Sequence, residues 1–196
     1  MPLPHLIGIL TPELVCFHEA GHVVTAATIG ARVARVSLLD GLPPYGISSI
    51  ERTPPQAPFI ACGGFAAEHF LFKKRRLVDG SGKVADASLF LSEAQKNAQE
   101  DVQNYVRGMV AMNARVDDPM LDFGGTALGK VYPNIDFTLV EEVATVLLER
   151  KVLDAAQLAE ILGSNRPLLR SRYKLQRMIG FGPIRSAYRA ARGLDS

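Results

Sequence analysis

The sequence predicts a mainly helical fold with a small β-hairpin, and three observations carry that prediction. The stretch from Thr11 to Gly30 is apolar nearly all round, as a helix buried in a core must be. Residues 32–39 and 47–51 read as short strands on either side of a turn rich in Gly and Pro. Beyond residue 85 the apolar spacing is helical over 86–113, 139–150 and 155–162.

The first helix has both end signals. Thr11 suits the N-cap, Pro12 the first helical position and Glu13 the positive end of the helix dipole, while Gly30 is a natural stop. Leu14, Val15, Phe17, Val23, Val24, Ala26, Ala27 and Ile29 supply its apolar surface. The strand from Arg32 to Leu39 then sets Val36 and Leu38 on one face. Gly41-Leu42-Pro43-Pro44-Tyr45-Gly46 forms the turn, and Ile47 to Glu51 returns. Thr53-Pro54-Pro55-Gln56 breaks the chain before a helix from Pro58 to about Phe72, whose Gly63, Gly64, Ala66 and Ala67 make a smooth face for close packing on the first helix. A polar loop through Lys73-Lys74-Arg75-Arg76 and Asp79-Gly80-Ser81-Gly82-Lys83 leads into one long helix, Asp86 to Asn113, with an apolar stripe through Leu91, Ala94, Ala98, Val102, Tyr105 and Met109.

Composition sets outer bounds. A chain of 196 residues that is 47% hydrophobic can bury one sizeable core. Residues 1–163 carry 14 basic and 19 acidic side chains, and residues 164–196 carry 8 basic and 1 acidic. That reversal of charge divides the sequence into a domain, 1–163, and a basic tail, 164–196, expected to pack loosely, to pair protomers or to be partly disordered. Nucleic acid is not the expected partner. Cys16 and Cys62 lack a paired metal spacing and read as buried thiols of a reducing cytoplasm. No apolar run reaches membrane-spanning length, and Leu6 to Leu10 lacks a preceding basic region, so neither a span nor export is expected.

His18-Glu19-Ala20-Gly21-His22 carries the chemistry. At about 100° per residue, two imidazoles four apart lie on one side of a helix within roughly 40° of each other, and can share one ion. Glu19 then sits beside the ion, where a carboxylate takes a proton from water that zinc has acidified to a pKa of about 7. A catalytic zinc needs three protein ligands and an open position. Asp86, following a flexible loop at a helix start, is one candidate for the third, and a helix-capping role would equally explain an Asp there. Glu68 and His69 are further candidates. Main-chain groups from Gly46 to Ile50 would suit an extended peptide substrate, although an ordinary hairpin accounts for the same residues.

With these residues in place, the sequence resembles the peptidase domain of FtsH-type ATP-dependent zinc proteases and its small free-standing relatives. The resemblance rests on His18 to His22, on Cys62-Gly63-Gly64-Phe65-Ala66-Ala67-Glu68, and on Leu147-Leu148-Glu149-Arg150 through Leu153 and Leu158 as closing helices; it covers most of residues 11–162. It implies a zincin-like, mainly helical domain with a hairpin, and allows a ring-shaped assembly. It also implies a third zinc ligand that is an aspartate beyond the small-residue segment, carried on the helix that follows a Gly-rich loop. Asp86 matches that place, with Asp101 as its main rival.

The expected activity is zinc-dependent endopeptidase, with His18, His22 and Asp86 holding Zn2+ and Glu19 as general base. Substrates would be accessible or unfolded polypeptides, since no nucleotide-binding loop accompanies the motif, and a separate ATPase could deliver them. The alternative is a non-catalytic, zinc-stabilised module that engages a partner through the basic tail.

Overall fold

The computed structural model describes residues 4–163; the basic segment assigned above to a tail lies outside the described residues. The architecture is mainly helical with a small antiparallel sheet, as the sequence predicts. After a two-residue strand β1 (His5–Leu6), the first helix α1 runs Pro12–Thr28. The Thr11 hydroxyl accepts from Leu14 N at 3.3 Å, satisfying an amide that the helix itself leaves open. Ala20, Val23, Val24 and Ala26 are fully buried, so α1 is the central element of the core.

Strands β2 (Arg32–Leu39) and β3 (Tyr45–Glu51) form the expected hairpin, with Val36 opposite Ser48 and Leu38 opposite Gly46. Val36 and Leu38 are buried, as their shared face requires. A third strand, β5 (Val152–Asp154), pairs with the other side of β2, giving the order β3-β2-β5 and leaving β3 with an unpaired edge among the described residues. Leu153 therefore belongs to this strand rather than to a closing helix. Between the two lies β4 (Leu77–Val78), which pairs in parallel with β1.

Two helices expected to be continuous are broken. The segment after the hairpin divides at Cys62 into α2 (Ala57–Ala61) and α3 (Gly63–Lys73). The long helix divides at Ala98, φ −87° and ψ 8°, into α4 (Ala87–Asn97) and α5 (Gln99–Ala111). The chain then makes an unanticipated helix α6 (Pro119–Thr126), one π-helical turn over Ala127–Val131 and a 3-10 turn over Tyr132–Asn134. The next helix, α7 (Phe137–Arg150), stops at Lys151 in the left-handed region, and α8 (Ala155–Leu162) starts from an Asp154–Gln157 capping box.

Packing around α1 sets up everything that follows. It touches α3, α7 and both long strands. The α1–α3 crossing is so close that a Cβ on Gly21 would lie 2.3 Å from the Gly63 carbonyl oxygen, so only hydrogen fits there. On the far side of α3, Phe65 meets Phe90 and Phe123, each with ring centroids 5.7 Å apart, and Tyr105 meets Phe123 at 5.8 Å. No helix among the described residues is long and apolar enough to cross a membrane. Cys16 and Cys62 are both buried and free.

Candidate metal centre

His18 and His22 project from the middle of α1 toward the first turn of α5, where Asp101 meets them. The His18 and His22 Nε2 atoms are 3.0 Å apart, and Asp101 Oδ2 stands 3.1 Å from the first and 3.3 Å from the second. Two nitrogens and one oxygen thus face a common point. The other ring nitrogens are committed: His18 Nδ1 pairs with Glu68 Oε1 at 2.7 Å, and His22 Nδ1 with the Ile60 carbonyl oxygen at 2.7 Å. Since a carbonyl accepts only, His22 Nδ1 must carry the proton, which leaves the Nε2 lone pair of the neutral ring for a metal. The Glu68 carboxylate imposes the same tautomer on His18.

Without an ion the same contacts favour protonated rings, so a metal would have to displace protons from Nε2. Burial alone would lower the His18 imidazole, but Asp101 and Glu68 outweigh it and hold the group well above its ordinary value. His22 is also raised, with Asp101 opposing both burial and the charge of His18. Burial pushes the Asp101 carboxyl up, but the two histidines overcome this and keep it well below the usual carboxylate range. The carboxylate is therefore ionised and turned toward two imidazoles that can each give up a proton. This donor set, two imidazole nitrogens and one carboxylate oxygen with the remaining groups hydrogen-bonded behind them, suits zinc with a position left open.

Asp86 is not brought to this site. It is exposed and caps α4, accepting from Leu89 N at 2.9 Å. The aspartate that joins the histidines is Asp101, the rival that the sequence offers to Asp86. The signal for it lay in a different stripe: Ala98, Asp101, Tyr105 and Gly108 recur at helical spacing, and Ala98, Tyr105 and Gly108 are buried. Val102 and Met109, which the predicted stripe turned inward, are only partly buried. Of the other candidates, Glu68 bonds His18 Nδ1, and His69 packs among Phe72, Phe90 and Tyr132.

Glycines make room for the polar side chains. A Cβ on Gly64 would fall 2.3 Å from His18 Nε2, and one on Gly46 would fall 2.2 Å from Glu19 Cγ. Glu19 therefore lies directly against β3, and the Ser48 hydroxyl donates to its Oε2. The site opens into a cleft of about 590 Å³. Leu10, Leu14, Val15, Ile47 and Ile50 give that cleft apolar walls beside Glu19 and the His-His-Asp group.

No family model matches this chain, and no curated protein matches it.

Proposed function

We propose that this chain is a zinc-dependent endopeptidase in which His18, His22 and Asp101 hold the metal and Glu19 is the general base. One observation carries the reading: His18 Nε2, His22 Nε2 and Asp101 Oδ2 converge while both Nδ1 atoms are engaged elsewhere. When bound, zinc supplies Lewis acidity that polarises a carbonyl and acidifies water. The protein's own groups do the rest. Glu68 and the Ile60 carbonyl keep the imidazoles in their ligating tautomer. Glu19 accepts the proton of the attacking water at a carboxylate oxygen and returns it to the departing amine. β3, which has an unpaired edge among the described residues, lines the cleft at Tyr45 to Ser48 and Ile50, and an extended polypeptide adding there as a further strand would place its apolar side chains among Leu14, Val15 and Ile50.

This reading keeps the chain with the FtsH-type peptidase domains that its motifs resemble, with Asp101 in the place first given to Asp86. Unfolded or accessible polypeptides are then the substrate class, with a separate ATPase as delivery partner and a homo-oligomer as the working form. The test measures zinc per chain together with hydrolysis of unfolded casein and a quenched peptide library. One zinc per chain with turnover that a chelator abolishes is the expected result; zinc without turnover favours the non-catalytic binding module.

A further inference from the structure

We infer that Ser48 is a positioning residue for the peptidase reaction, fixing the orientation of Glu19 from strand β3. The inference rests on the peptidase reading above and adds a residue outside the motif to it. Glu19 leaves α1 toward β3, and the two surfaces meet so closely at Gly46 that any larger residue would collide with the Glu19 side chain. Within this contact the Ser48 hydroxyl donates to Glu19 Oε2. The bond engages Oε2, so Oε1, which lies against Gly46, is the oxygen that the peptidase reading assigns to the proton. A glutamate without it keeps several rotamers of similar energy, few of which present an oxygen to the reacting water.

Ser48 also occupies the strand that borders the cleft, three residues along from Tyr45 and opposite Val36 in the sheet. Val36 is fully buried, so the backbone that carries the hydroxyl is anchored in the core. The serine thus ties the general base to a rigid element rather than to a loop. Because the hydroxyl touches Glu19 and not the metal-binding atoms, its loss should act on turnover and spare both zinc content and substrate affinity.

The test compares wild type, Ser48→Ala and Ser48→Thr as zinc-loaded full-length proteins, recording zinc per chain, melting temperature, and kcat and KM on one quenched peptide. Ser48→Ala should lose about tenfold in kcat, a part of the 10²–10⁴-fold that a general base supplies. KM should stay within about twofold and zinc unchanged. Ser48→Thr, which keeps the hydroxyl on a strand-favouring side chain, should recover most of kcat. An active wild type whose kcat is unaffected by Ser48→Ala, or is not recovered by Ser48→Thr, overturns this inference and leaves the peptidase reading standing. A zinc-loaded wild type that hydrolyses nothing overturns the peptidase reading itself, and this inference with it.

Discussion

Asp101 Oδ2 lies 3.1 Å from His18 Nε2, a contact between the first turn of α5 and the middle of α1. Replacing Asp101 with Ala should therefore remove most bound zinc and all hydrolysis, because two imidazoles alone leave the ion under-coordinated. Asp86→Ala should keep full zinc occupancy and cost only about 1 kcal/mol of stability, the usual worth of a helix cap. Zinc per chain measured in the two variants separates the roles, and retention of metal by Asp101→Ala would remove Asp101 from the ligand set.

Glu19→Gln should hold zinc at the wild-type level and lose about 10²–10⁴-fold in kcat, since the amide keeps the shape but cannot take a proton. Metal analysis beside steady-state kinetics checks this. Loss of zinc in that variant would make Glu19 a ligand instead of a base.

Glu68→Ala should weaken zinc binding about 10–100-fold without abolishing it, as losing the partner of a ligating histidine commonly does. Competition with a chromogenic chelator reads the affinity. An unchanged value would mean that the 2.7 Å contact with His18 Nδ1 does nothing for the metal.

His69 gives the fold an acid-sensitive point apart from the proposed metal ligands. Its Nδ1 is buried without a hydrogen-bond partner among the described residues, and burial, with a smaller contribution from Lys73, pushes its pKa from 6.5 down to about 4. The unfolded chain binds the proton more tightly, so the stability due to the neutral ring is complete above pH 6.5 and drains away as pH falls toward 4. His69→Phe should consequently lose less melting temperature than wild type between pH 7 and pH 5. Equal losses in calorimetry would show that His69 does not titrate in that window.

The residues legible in the sequence were those whose geometry is local. His18, Glu19 and His22 follow from helical spacing alone, and the caps of α1 lie where Thr11 and Gly30 put them. Gly63 and Gly64 likewise announce a close helix contact, although nothing in the sequence says that Gly64 would face His18. The place of Asp101 depends on the break at Ala98, which no local pattern announces. Read as one continuous helix, the stripe through Leu91, Ala94 and Ala98 runs on to Val102; once α5 starts afresh, Asp101 turns inward with Tyr105 and Gly108. Strand β5 is only three residues long and is fixed by pairing with β2, a contact that no local pattern encodes.

Residues 18 and 101 are 83 positions apart. With zinc held as proposed, that separation would become a closed loop, with the ion as its clasp and the hairpin, α2, α3, β4 and α4 all inside it. Loop-closure entropy grows only with the logarithm of length, so so long a loop is closed for little more than a short one. A protease that cut the exposed Gly80 to Lys83 turn would then leave two fragments joined by the ion as well as by the packing of α1 on α7 and of β2 on β5, and a chelator should lower the temperature at which they part.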